Sequence, residues 1–350
     1  MSNAGRKRIR IGQIGIGHNH GWEKMATLRK LPELFEVVGV VEPDPAWREK
    51  RGHIAAYQGL PWLTEEQLLN TPGLQAVTVE TDVLDLVATA KRCLDAGMHI
   101  HLDKPGGESL SEFQGMLDKA RAGQLTVQMG YMYRHNPALQ LCLRAVREGW
   151  LGRVFEVHAV MNRMDGADYR AWLSQFHGGA FYIFGCHLID LIVAMLGKPD
   201  RVTPFLRSTR PEDDSLHDSG LAVLEYPCAT ATVRAAVVEV EGFHRRQFVV
   251  CGDEGTFELR PLEYLGLSEA TPEHPLPTPK AKLTLARPCG GFQAGPQDVE
   301  LPPMIGRYDD QLTEFARIVR GEIENPYPLD HELAVEDVVL QACGYPAEAG

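Results

Sequence analysis

The sequence predicts an α/β protein of two domains: a doubly wound parallel sheet, then an α+β domain built on an open, mainly antiparallel sheet. Three observations carry this. Residues 8–131 alternate short apolar strands with helices. The first of those strands ends in Gly15-Ile16-Gly17. Beyond Pro137 the runs are strand-like, separated by turns, with few helices between them. A chain of 350 residues has room for two ordinary domains, and the change of texture places the boundary between 136 and 137.

In order, Arg8–Ile14 reads as a buried strand and Gly21–Lys30 as the helix after the glycine turn. Glu36–Val41 is a second strand, followed by Glu42-Pro43-Asp44-Pro45 and a helix through about Ala56. Thr64–Asn70 is a short helix, Gln75–Glu80 a strand, Leu84–Ala96 a helix closed by Gly97, and Met98–Leu102 a strand. Ser109 starts a helix that runs to Ala122 with Gly123 at its end, and Leu125–Tyr131 completes the alternation. A helix at Ala138–Glu148 then precedes strands at Val154–Met161, Arg201–Arg207, Gly220–Glu225, Ala229–Glu239, Arg246–Cys251 and Thr256–Leu259. Pro272–Leu301 is rich in Pro and Gly and reads as a long surface excursion. Helices at Asp309–Arg320 and His331–Cys343 close the chain.

Composition excludes several classes. A net charge of −12, with basic residues clustered only at Arg6–Arg10, argues against nucleic acid. The apolar runs fall short of the roughly 20 residues that span a bilayer, and no apolar stretch follows the basic N-terminus as a signal peptide requires. Seven scattered cysteines without CxxC spacing suit reduced thiols in a cytoplasm rather than disulfides or structural zinc.

Gly15-x-Gly17 stands between a strand and a helix, where a dinucleotide's pyrophosphate meets backbone N–H groups and the helix dipole. His20 occupies the third-glycine position and Gly21 follows. Glu42, at the end of the second strand, can accept both ribose hydroxyls and repel a 2′-phosphate, which favours NAD over NADP; it also fits a turn acid before prolines. The nearest arginine, Arg48, is already in the next helix.

Met98-His-Ile-His-Leu-Asp-Lys-Pro105 carries Lys104 to a strand end, where ligands bind in such sheets. A nicotinamide ring beside that amine lowers its pKa and equips it to move a proton. Further on, Gly178-Gly179 lead an apolar run to His187 and Asp190, one turn apart on a helix. The pair suits proton transfer near neutral pH, or serves only to satisfy each other.

In these motifs the chain resembles the Gfo/Idh/MocA family of NAD(P)-dependent oxidoreductases. Asp103-Lys104-Pro105 resembles the family's Glu-Lys-Pro, Tyr131-Met-Tyr-Arg134-His-Asn136-Pro137 its interdomain link, and Gly178-Gly179 through His187 and Asp190 its second-domain segment. The resemblance implies an N-terminal Rossmann domain and a C-terminal domain for substrate and oligomer contacts. It also implies Lys104 as principal acid/base, with His187 binding the same oxygen and Asp190 orienting His187 or substrate. The family's acid four residues before the histidine is replaced by Ile183, and after Thr81 the usual Pro, Asn and His give way to Asp82, Val83 and Leu86.

The expected cofactor residues are Gly15, Ile16, Gly17, His18, Asn19, His20, Glu42, Thr81, Asp103, Lys104 and Tyr131. Substrate contacts are expected from Asp190, Tyr182, Arg134, Tyr169 and Trp172, the last able to stack on a sugar face. Tyr131, Tyr133, Arg134 and Asn136 also fit as junction packing, and Tyr182 as a buried aromatic. His99, His101, Asp103 and His187 can be drawn around a metal, but helices should cover His99 and His101, and His18 and His20 fit as helix-start residues, so no metal is assigned. Cys186 reads as packing. The expected function is NAD-dependent hydride transfer to or from a secondary hydroxyl or keto group of a sugar or polyol, in a cytoplasmic homo-oligomer, dimer or tetramer. The alternatives are a lyase or glycoside-cleaving enzyme using transient oxidation, and a catalytically impaired NAD-binding sensor or scaffold.

Overall fold

A computed structural model describes residues 7–264 and 274–345, which form two compact units. The first holds residues up to Tyr131 together with Gly306–Leu333, and the second holds Met132–Ile305 and the segment from Ala334. The expected contiguous split at 136/137 is therefore corrected: the chain leaves the first unit and later returns to it.

In the first unit, β1 (Ile9–Ile14), β2 (Phe35–Val41), β3 (Ala76–Val79), β4 (His99–Leu102) and β5 (Val127–Met129) form a parallel sheet ordered β2-β1-β3-β4-β5. β3 is buried at every position, as parallel strands covered on both faces are. Helices α1 (Gly21–Lys30), α2 (Pro45–Arg51), α3 (Glu65–Leu69), α4 (Leu86–Asp95) and α5 (Leu110–Gly123) make the crossovers. Thr64 and Gln67 form a reciprocal capping box on α3. The helix expected through Ala56 ends at Arg51, and a 3-10 turn at Ala55–Tyr57 follows. At the end of α5 it is Gln124, not Gly123, that takes the left-handed position, with φ 55°.

In the second unit, α6 (Pro137–Arg147) precedes β6 (Val154–Val160). Next come α7 (Ala167–Leu173) and α8 (Gly179–Leu196). Six of the further strands are β7 (Arg201–Arg207), β8 (Ser219–Glu225), β9 (Thr230–Ala236), β10 (Gln247–Gly252), β11 (Gly255–Leu259) and β12 (Ala281–Leu285), and β13 (Gly295–Val299) is the last. They form one sheet ordered β13-β12-β11-β10-β6-β9-β8-β7, antiparallel except where β6 pairs with β9. The described part of the expected excursion, 274–301, thus contains two strands that extend this sheet; 272 and 273 lie outside the described residues. β13 carries Pro296 and alternates exposed with half-buried positions, as an edge strand does.

α8 lies on the sheet against β6, β8 and β9. It is 18 residues long with mean hydropathy 1.9, enough by length and composition to cross a membrane, and 83% of it is buried. That corrects the reading of the apolar runs as too short. The helices α9 (Asp309–Val319) and α10 (Leu329–Ala342) follow; α9 returns to the first unit, where Leu312 and Phe315 are fully buried.

Left-handed backbone costs a non-glycine residue about 1–2 kcal/mol. Gln124→Gly is expected to stabilise the first unit by about 1 kcal/mol, read as a higher thermal midpoint; an unchanged or lower midpoint contradicts the assignment of strain to Gln124.

Candidate active site

β1 runs into Gly15, whose φ of +89° and close backbone packing both exclude a side chain: a Cβ there would lie 2.4 Å from the Thr81 nitrogen. Gln13 donates Nε2–H to the Gly15 carbonyl at 2.9 Å and so fixes the turn from below. Gly17 lies under the indole of Trp47, 3.0 Å from where a Cβ would be. A Cβ on Gly21 would sit 3.2 Å from Glu80 Cβ. The close helix–sheet approach expected of a third glycine is therefore supplied by Gly21, one position beyond His20.

Glu42 is held against this turn. Its Oε2 accepts the Ile16 N–H at 2.8 Å and its Oε1 accepts the Asp44 N–H at 2.9 Å. Burial raises its pKa, and those two N–H groups oppose the shift. Arg48 stacks on Trp62, while Arg51 reaches back to the turn. Arg51 Nη1 donates to the carbonyls of Ile16, Gly17 and His18 at 3.1, 2.9 and 2.7 Å, and Nη2 to Asn19 Oδ1 at 2.8 Å. Sequence reading missed Arg51, and only a tertiary contact reveals it.

At the carboxyl ends of β3 and β4 lies a buried ionic cluster. Lys24, fully buried on α1, places Nζ 3.0 Å from Glu80 Oε1 and 2.7 Å from Asp103 Oδ2. His18 and His20 each bring Nδ1 to the same Asp103 oxygen, at 3.0 and 3.2 Å. Asp103 Oδ1 in turn accepts the main-chain N–H of Lys104 at 2.7 Å. Tyr308 closes the cluster, its ring centroid 5.4 Å from Lys24 Nζ and 5.9 Å from the His20 ring.

Burial lowers the pKa of both imidazoles against the attraction of Asp103, that of His20 to about 3. For Asp103, burial acts upward, and His18, Lys24 and His20 outweigh it to hold the carboxyl well below its usual range. Its stabilisation is present above the unfolded carboxyl pKa and is lost as pH falls through the depressed folded value. Glu80 is the reverse: burial, only partly offset by Lys24, lifts it well above the usual carboxylate range. Its contribution is present in acid and lost as pH rises through that raised value. His18, His20 and Asp103 also offer three donor atoms within 4.8 Å of one another. The Lys24 ammonium already supplies the positive charge there, so the donor set fits the lysine rather than a metal ion.

The other strand histidines serve the fold. His101 Nδ1 bonds Gln128 Oε1 at 2.9 Å and its ring meets Phe315 edge-on, while His99 Nδ1 accepts the Thr126 N–H. Tyr131 is buried just after β5.

In the second unit the glycine pair starts α8. A Cβ on Gly179, at φ +53°, would strike the His217 carbonyl at 2.4 Å. His187 is buried, its ring 5.5 Å from that of Tyr133. Asp190 was expected to orient His187 or a substrate, and Arg134 to contact substrate. Both side chains are 1% exposed, and they meet in a bidentate pair at 2.6–3.1 Å. This gives each of them a structural role. Asn136 Oδ1 caps α6 at Ala138 N. Tyr182 packs against Phe176, as a buried aromatic, and Tyr169 stacks near Trp172 at 5.1 Å. Ile183 is 3% exposed, and its carbonyl accepts the Cys186 thiol.

Residues 9–131 match an oxidoreductase family with an NAD-binding Rossmann fold, and residues 139–258 match the GFO/IDH/MocA C-terminal domain. The uncharacterized oxidoreductase YhhX of Escherichia coli is 29% identical over 194 residues, 55% of this chain and 54% of YhhX, so the match spans about half of each. Levoglucosan dehydrogenase of Pseudarthrobacter phenanthrenivorans is 24% identical over 151 residues, 41% of this chain and 39% of that protein. A solved aldose-aldose oxidoreductase from Caulobacter crescentus, complexed with glycerol, shares the fold with TM-score 0.77 at 18% identity, covering 97% of this chain and 98% of that one.

Removing one partner of a buried ion pair costs about 3–5 kcal/mol. Lys24→Met is expected to lower the urea unfolding free energy by about that amount, and adding Asp103→Asn to recover part of it. A single-variant loss under about 1 kcal/mol would show that the cluster does not depend on this ammonium.

Proposed function

This chain belongs to the GFO/IDH/MocA family of oxidoreductases, and from that premise we propose an NAD-dependent enzyme acting on a secondary hydroxyl or keto group of a sugar, polyol or related compound. The observation that carries the reading is the β1–α1 turn with the Glu42 carboxylate fixed beside it. Such a turn accommodates a pyrophosphate against backbone, with Glu42 accepting from ribose hydroxyls. NAD rather than NADP is favoured because Arg51 is engaged by four acceptors at the turn and so is not a spare cation for a 2′-phosphate. The substrate class rests on relatives such as levoglucosan dehydrogenase.

When bound, nicotinamide supplies or accepts the hydride. Lys104, at the carboxyl end of β4, is the proposed acid/base, taking or giving the proton of the reacting oxygen. The hydrogen bond from its main-chain N–H to Asp103 anchors it at that strand end. His187 is proposed separately as the assisting group in the second unit, and a homo-oligomer is part of the proposal. A second reading, an NAD-binding sensor without turnover, is favoured by one feature: apolar, buried Ile183 in place of the family's acid.

Fluorescence titration is expected to show NADH binding at least about tenfold tighter than NADPH, a difference near 1.4 kcal/mol; equal affinities would remove Glu42 from cofactor choice. In a screen of sugars and inositols, net oxidation must yield stoichiometric NADH, whereas transient oxidation yields product with none. Lys104→Ala is expected to lower kcat about 10²–10⁴-fold. Cofactor binding without turnover of any sugar or inositol would favour the sensor.

A further inference from the structure

Arg51, the last residue of α2, is bound to the backbone of the turn that follows β1. Three successive carbonyls, those of Ile16, Gly17 and His18, converge on its Nη1 at 3.1, 2.9 and 2.7 Å, and Asn19 Oδ1 accepts from Nη2 at 2.8 Å. A guanidinium Nη carries two N–H bonds, so the three carbonyls share them. Carbonyl oxygens brought to one point repel one another unless a cation stands there. Trp47 seats that cation: Arg51 Cζ lies 4.6 Å from the indole ring, and the same indole packs on Gly17.

The peptide bonds of this turn are trans, and a planar trans peptide points its C=O and N–H in opposite directions. Carbonyls of Ile16, Gly17 and His18 turned toward Arg51 therefore turn the N–H groups of Gly17, His18 and Asn19 away from it. The His18 N–H goes to the Glu80 carbonyl at 3.0 Å. The Gly17 N–H meets no acceptor among the described residues, although Gly17 is buried. A buried N–H is ordinarily paired, and one at a turn leading into a helix N-terminus marks a place where an anion completes the structure.

We propose that Arg51 is a positioning residue for the cofactor. From behind the turn it fixes the peptide planes whose N–H groups face the pyrophosphate, and it does not touch the phosphates itself. This deepens the NAD-binding reading and rests on it. An arginine that contacts a 2′-phosphate directly would favour NADPH alone, whereas one that shapes the turn serves every ligand carrying the pyrophosphate. A lysine can replace it in this role, because an ammonium offers three donors, one for each carbonyl. Alanine leaves the three carbonyls facing no charge.

The test is titration of the whole chain with NADH, NADPH and ADP-ribose in wild type, Arg51→Ala and Arg51→Lys. Arg51→Ala is expected to weaken NADH and ADP-ribose by the same factor, about tenfold, and NADPH by no more. Arg51→Lys is expected to stay within about threefold of wild type. Millimolar ethylguanidinium chloride is expected to restore ADP-ribose binding to Arg51→Ala, and tetramethylammonium chloride is not. If Arg51→Ala fails to fold, Arg51→Gln, which keeps the stem without the charge, replaces it with the same expectation for the ligands. Equal affinities in wild type and the uncharged variant, a loss confined to NADPH, no rescue by ethylguanidinium, or a loss in Arg51→Lys as large as in the uncharged variant would each overturn the positioning role while leaving the NAD-binding reading intact. A wild type that binds none of the three ligands would overturn both.

Discussion

One buried ammonium organises the first unit. Lys24 extends from α1 to carboxylates at the ends of β3 and β4, so two neighbouring strand ends share a single counter-charge. Desolvating three ionisable groups together is costly, and only close geometry with further hydrogen bonds offsets it. Here His18 and His20 supply those bonds. The two carboxyls respond in opposite directions, Asp103 held ionised and Glu80 pushed toward its neutral form. The cluster therefore approaches neutrality inside, and it fixes the main chain of Lys104 through Asp103.

The second unit uses a different device. α8 is apolar on all sides and covers the sheet, so its few polar residues must be met internally. Asp190 is met by Arg134, and the Tyr133–Glu263–Arg246 chain runs on from there toward the end of β6. Polar groups here are arranged as linked pairs rather than as one shared charge. Among the described residues the exceptions include Asn162 Oδ1, Asp165 Oδ2, Arg170 Nη1 and Ser208 Oγ.

The parallel sheet was largely legible because buried strands and capped helices carry strong local patterns; α1 is observed over the residues its spacing predicts. The end of the second sheet carries weaker ones: β13, the edge strand, includes Pro296 and needs no apolar residue on its outer face, and β12 beside it lies in the same Pro- and Gly-rich stretch. α7, at seven residues, is too short to show a period. At the candidate site, the turn, Glu42, Asp103 and Lys104 are readable from their places along the strands. Lys24 and Arg51 are not, because a lysine on a helix ordinarily reads as solvated and only the tertiary fold brings in its carboxylates. The pairing of Asp190 with Arg134 was hidden for the same reason, since 56 residues separate them.

The return of residues 306–333 also bears on how the chain is made. Gln311 donates to the Met129 carbonyl of edge strand β5, Gln128 donates back to the Gln311 carbonyl, and Lys30 pairs with Asp309 at 2.6 Å. The free side of β5, and the face that Leu312 and Phe315 fill, are thus completed by residues synthesised almost two hundred positions later. On the ribosome, at about 5–20 residues per second, the sheet emerges some ten seconds or more before its closing helix. During that interval β5 is an exposed parallel edge, the type of surface that chaperones bind and that pairs with other nascent chains. The order of synthesis, and not the final stability, then sets where this protein is most vulnerable to misassembly.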